Sequence, residues 1–310
     1  MNKLFYITLT FVLVALFSAC DPIVDMQGVG TVITSADQIE ATLTPIMDGS
    51  KKTNKVKVHC TSPVLCHWAG GPTTYISNDT TVLLFGKGDQ TIKLTVLAAD
   101  GTQFTKSYTV TVDEMFYPVP KEWGLLAGAA GSKTWVWATD VTSSYFPGSN
   151  GGKCYGNGGY MGNNSPGWWT CGLSDLTPWG VAGDEMTFDI NGAANFTLVT
   201  GNTQKSNGKD KGLQAGTHKG IFSFDMSKTT VASGTTSATA GSPWAIGQLT
   251  LVGTTISLGY QPNGAGFPAI YIYDILYLDD NVMVLEKPEP NQGAWGTAWF
   301  WVFKRKGFTF

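Results

Sequence analysis

Apolar and polar residues alternate along most of this chain, and an apolar stripe at helical spacing is almost nowhere found. Short runs of alternating or β-branched residues, separated by Gly, Asn, Asp and Pro, predict strands of a sandwich or barrel. In the first third, strands are expected at 30–34, 39–43, 55–60, 81–85, 91–98 and 104–112. The last two are the clearest, because Ile92-Lys93-Leu94-Thr95-Val96 and Tyr108-Thr109-Val110-Thr111-Val112 send apolar and polar side chains to opposite faces. Asp100-Gly101 between them is a strong hairpin turn. Six or seven strands over residues 28–115 fit an Ig-like sandwich.

The paired prolines of Phe116-Tyr117-Pro118-Val119-Pro120 punctuate the chain and stiffen a boundary. Beyond it, strands are expected at 134–138, 185–190, 196–200, 220–225, 248–252, 255–259, 270–278, 282–286 and 298–304. That number over residues 121–310 predicts a larger two-sheet, jelly-roll-like sandwich, so the fold class is all-β throughout. The Asn-, Lys- and Gly-rich stretch 201–216 is expected to be a surface loop.

Composition changes the picture at the start of the chain. Lys3, an apolar run from Leu4 to Phe17 and the small pair Ser18-Ala19 form a secretory signal, 1–19, shorter than the ~20 residues of a membrane span. Phe17-Ser18-Ala19-Cys20 resembles the lipobox of bacterial lipoproteins. That resemblance implies lipidation at Cys20, a linker over 20–27 and attachment to the outer membrane at the cell surface. The net charge is −3, and no Lys/Arg run precedes Lys304-Arg305-Lys306, so nucleic acid is excluded as a partner. In an exported chain the four remaining cysteines suggest two disulfides, with Cys60–Cys66 and Cys154–Cys171 the simplest pairing.

Catalytic signatures are missing. No Gly-x-Ser-x-Gly, His-Glu-x-x-His or Glu-x-Asp-x-x-Glu occurs. Glu185 and Asp189 would lie about 13 Å apart on one strand, beyond the separations of a glycosidase pair. The chain is therefore expected not to be an enzyme. No cofactor is expected; structural calcium would fit Asp184 or Asp225, though no ligand spacing demands it.

Ten of the eleven tryptophans lie beyond Lys121. Trp135 with Trp137, and Trp299 with Trp301, alternate within strands and are expected in the core. The segment from Tyr155 to Trp169, rich in Gly and Asn, is expected to be a turn-rich loop rather than a core strand, closed by Cys154 and Cys171. It nonetheless carries large aromatics. An indole face matches the apolar face of a sugar ring, and Asn side chains meet its hydroxyls. The candidate carbohydrate-binding residues are Trp168, Trp169, Tyr160 and Trp179, then Trp295 and Trp244, with Asn163 and Asn164.

These residues carry a family resemblance. Gly88-Asp89-Gln90-Thr91-Ile92 through Val112 resembles the last strands of PKD-type spacer domains. The lipobox, that spacer, Thr134-Trp135-Val136-Trp137, Asp184-Glu185-Met186-Thr187-Phe188 and the close Trp299-Phe300-Trp301-Val302-Phe303-Lys304 resemble surface glycan-binding lipoproteins of Bacteroidetes-type polysaccharide-utilisation systems. The resemblance implies a non-catalytic surface protein holding a polysaccharide near hydrolases and a glycan transporter complex. Low charge favours a neutral polymer such as a β-glucan. A sandwich-fold glycoside hydrolase and an adhesin or fimbrial subunit are the alternatives.

Overall fold

The computed structural model describes residues 33–142, 150–160, 164–201, 205–206, 209–210, 213–229, 244–259, 270–289 and 296–310. The signal segment, Cys20, Asn163 and Trp295 lie outside the described residues, as does most of the strand expected at 30–34. No helix among the described residues is long and apolar enough to cross a membrane.

Among the described residues the first unit has seven strands: β1 (Ala41–Asp48), β2 (Lys51–Cys60), β3 (Leu65–Ala69), β4 (Thr74–Ile76), β5 (Asp79–Leu83), β6 (Gly88–Leu97) and β7 (Gln103–Val112). They form a three-stranded sheet, β1-β2-β5, and a four-stranded sheet, β4-β3-β6-β7. Strand alternation turns Val56 and Val58 from one sheet, and Trp68, Leu94 and Val96 from the other, into a shared core. Trp68 is fully buried and donates its indole N–H to Ser77 O at 2.9 Å. Cys60 ends β2 and Cys66 lies in β3, so the two thiols meet between the two sheets.

The second unit departs from the jelly-roll expectation. Its strands are β8 (Ser132–Trp137), β9 (Tyr155–Gly159), β10 (Trp169–Cys171), β11 (Glu185–Asp189), β12 (Asn195–Thr200), the short pair β13 (Lys205–Ser206) and β14 (Lys209–Asp210), β15 (Gly216–Asp225), β16 (Gly247–Val252), β17 (Ile270–Leu278), β18 (Val282–Pro288) and β19 (Thr297–Arg305). Strands β8, β11, β12, β15, β16, β17, β18 and β19 pair in sequence order, all antiparallel, and β19 closes back on β8. The result is an eight-stranded up-and-down barrel. Alternation alone cannot separate a sandwich from a barrel; the pairing of the first strand with the last decides.

An eight-stranded cylinder leaves an interior that side chains can fill. Trp135, Trp137, Met186, Phe188, Phe196, Leu198, Leu249, Tyr273, Trp301 and Phe303 fill this one. Trp301 packs against Tyr155 and Tyr273, at ring-centre distances of 5.7 and 5.6 Å. Helix α1 (Lys121–Ala127) caps one end. Its Trp123 packs at a tilt against Phe224 and Phe222, at ring-centre distances of 4.3 and 5.4 Å, and Leu126 O accepts the Trp135 indole N–H. The first unit docks at this same end: Phe85 packs edge-on against Trp123 at 5.8 Å, and Gln90 Nε2 donates to Ala130 O.

The opposite end is plugged by the chain itself. Residues 255–259, expected as a strand, form a buried turn after β16. Tyr273 Oη bonds Thr255 Oγ1 at 2.6 Å and Gly259 O at 2.7 Å, and Ser257 Oγ donates to Asp184 Oδ2 at 2.6 Å. Leu258 holds a φ of 52°, a left-handed backbone that costs a branched residue energy and is held in place by these anchors.

Burial pushes the Asp184 carboxyl up to about 6, against the hydrogen bonds from Ser257, Gly201 and Thr200. The folded state thus keeps a proton that the unfolded chain releases near pH 4. Stability from this group is full below about pH 4 and falls by roughly 1.4 kcal/mol per unit until about pH 6. Asp184→Asn is expected to flatten that slope, as urea unfolding at pH 4.5 and 6.5 would measure; an unchanged slope would count against it.

Candidate functional site

At the plugged end, β19 changes partners. Its residues Phe303 to Arg305 pair with β8, while Thr297 to Trp301 pair with β9, and β9 carries β10 as an outer strand. The segment expected to be a turn-rich loop therefore begins and ends in strands. Glycine makes this possible: a Cβ at Gly156 would fall 2.2 Å from Trp169 O and 2.7 Å from Pro166 Cβ, so only glycine allows β10 to approach this closely.

The strand register lines up one transverse rank. Lys287 on β18 pairs with Trp299 on β19, Trp299 with Asn157 on β9, and Asn157 with Trp169 on β10. Directly opposed residues share a face, here the one continuous with the barrel interior. Trp299 stacks on Tyr155 at 5.3 Å and 21°, and its indole N–H donates to Glu289 Oε1 at 2.7 Å. Asn157 Oδ1 is buried, with no hydrogen-bond partner among the described residues.

The outer end of the rank is an aromatic shelf. Trp169 and Trp179 lie near-parallel, 27° apart at a ring-centre distance of 6.2 Å, and are 41% and 39% exposed. Trp169 also meets Trp299 edge-on at 6.3 Å and Tyr155 at 6.1 Å, which fixes its orientation from below. Trp179 follows the short helix α2 (Leu173–Leu176), whose start is held by Gly172 N donating to Asp175 Oδ2. Trp168, 60% exposed, points to the other face of β10, its backbone N–H held by Asn157 O.

The remaining candidates are placed elsewhere. Tyr160 is not on the shelf: it is buried and packs with Ala298 and Phe300 on the outer wall of the barrel. Its phenol donates to Asp274 Oδ2 at 2.8 Å, and burial, with Asp274 beside it, drives its pKa far up. A tyrosine in a glycine-rich segment was expected at the surface; a small satellite core takes it instead. Trp244 is 43% exposed but precedes β16, so it stands at the α1 end, away from the shelf. Asn164 is half-buried beside the shelf segment. Trp135, Trp137, Trp299 and Trp301 are buried, as their alternation predicts.

The structure carries Cys60, Cys66, Cys154 and Cys171 as thiols, each beside its expected partner. The Cys66 thiol is pushed up to about 12, first by burial and then by its hydrogen bond with Cys60. Cys154 N donates to Cys171 O at 3.0 Å, and burial pushes the Cys154 thiol up to about 12. Buried thiols held in the protonated form pack as small apolar groups.

The carboxylates are occupied structurally. Asp274 and Glu286 are cross-strand partners on the outer wall, both buried, and Asp274 accepts from Tyr160 Oη and Gln248 Nε2. Glu185 Oε1 pairs with Lys306, and Asp189 Oδ1 caps the turn at Asn191 N. Asp184 and Asp225 spend oxygens on Ser257, Gly201 and Ser227. Among the described residues no group of three or more His, Cys, Asp or Glu side chains gathers as a metal site.

Sequence reasoning missed Asn157, Lys287, Trp299 and Glu289 as site residues. Alternation put Trp299 on an inward face, but only the strand order brings that face beside Trp169. No protein-family model matches the chain, and no curated protein matches it either.

Proposed function

We propose that this protein captures a polysaccharide at the outer surface of a cell without cleaving it, using the shelf of Trp169 and Trp179. One observation carries the reading: two near-parallel, partly exposed indoles lie side by side, and Trp169 is braced from below by Trp299 and Tyr155. Large aromatics left facing water on a rigid support mark a binding surface rather than a core. A pyranose ring offers a flat apolar face to such a shelf, and Asn157 stands next to Trp169 in the rank.

The architecture supports the same reading. The first unit, an Ig-like spacer, docks at the α1 end, while the shelf opens at the other end of the barrel. A lipid on Cys20 would then hold the shelf away from the membrane, toward a transporter and surface hydrolases. A non-catalytic role agrees with the sealing of Asp274 and Glu286 beneath Tyr160, where no sugar reaches them. Titration of the purified protein against a polysaccharide panel tests this. Saturable binding without new reducing ends supports it; silence across the panel, or release of sugar ends, sinks it.

A further inference from the structure

We propose that Lys287 forms a carboxylate subsite at the inner end of the aromatic rank, so that the captured polysaccharide carries uronic acid residues. The proposal rests on the glycan reading of the shelf and names the class of sugar it takes.

Lys287 belongs to the same rank as Trp299, Asn157 and Trp169, three strand spacings from the last of these. At the usual inter-strand distance that is about 14 Å, so a ligand that reaches both the cation and the shelf is an oligosaccharide rather than a single ring. Its ammonium lies 5.4 Å from the Tyr273 ring centre and 5.9 Å from that of Tyr271. One N–H donates to Ile272 O at 3.3 Å. An ammonium carries three donors, so two remain for a ligand. Among the described residues, no carboxylate lies within ion-pair distance of it. Glu289, two residues on, directs Oε1 to the Trp299 indole.

A cation half-withdrawn from water with no counter-ion is costly, and an arriving carboxylate relieves that cost with a charge-assisted hydrogen bond. Burial lowers the Lys287 pKa from the ordinary lysine range, while Asp274 on the other side of the wall raises it. The net charge of −3 does not forbid an acidic ligand, because at physiological salt fields fade over about 8 Å and the nearest cation dominates. The sequence-based preference for a neutral polymer came from the lack of a Lys/Arg cluster. The fold instead brings one lysine to an aromatic mouth.

The test compares glucuronan and galacturonan with the same polymers after reduction of their carboxyl groups, titrated into the full-length protein. The expected result is at least tenfold tighter binding of one native polymer than of its reduced form. Lys287→Met erases that preference while retaining the weaker affinity for the reduced form, and Lys287→Arg keeps most of it. Equal affinity for both forms, or a preference that survives Lys287→Met, overturns the subsite. Binding of the reduced polymers that Trp169→Ala abolishes would then leave the shelf standing without it. Failure to bind any polymer overturns both proposals together.

Discussion

Replacing Trp169 and Trp179 together by alanine is expected to remove detectable polysaccharide binding while leaving the fold intact. Each indole is about two-fifths exposed, so the face it offers to a ligand is not needed by the core. A buried aromatic contact at the centre of an interface is worth about 2 kcal/mol or more, roughly thirtyfold in affinity for each ring. The two rings support each other, so the second loss adds less than the first. Affinity electrophoresis reads the binding, and a thermal melt within a few degrees of the parent confirms the fold. Retained affinity in a folded double variant would remove the shelf from the account. Trp244→Ala is the internal control: that ring is exposed at the opposite end and should leave binding unchanged.

Trp301→Ala is expected to do the reverse and strike the fold. Trp301 is fully buried in the barrel, edge-on to Tyr273 and packed against Tyr155. Removing a buried tryptophan from a filled interior costs about 3–5 kcal/mol, a large part of the stability of an ordinary domain. Denaturant unfolding followed by tryptophan fluorescence would register it as an earlier midpoint for the barrel, with the transition of the first unit little changed. Because Tyr155 also braces Trp169, binding should weaken alongside stability. A variant with a parental midpoint would mean that the interior is far more forgiving than its packing implies.

Much of this molecule was legible in the sequence. The alternation in β6 and β7, with Asp-Gly between them, gave a hairpin within three residues of the observed bounds. The four alternating tryptophans pointed inward because a strand has a period of two. Three things were not legible. Closure of the barrel depends on β19 meeting β8, a contact between strands about 165 residues apart that no local pattern encodes. Strand β9 hid behind its glycines, which signal a turn when read alone but here permit one backbone to crowd another. Lys287 lies just past the strand expected at 282–286, and only the register with Trp299 reveals which face it shares.

The exchange of partners along β19 has a mechanical consequence. One continuous stretch of backbone both seals the cylinder and carries the ledge where ligand is expected to sit, so the two cannot loosen independently. Tugging on a tethered polymer would load the seam of the cylinder lengthwise, in shear across its hydrogen bonds. A saturating ligand should therefore raise the melting temperature of the whole cylinder, by mass action, and slow amide exchange at the seam as well as at the ledge.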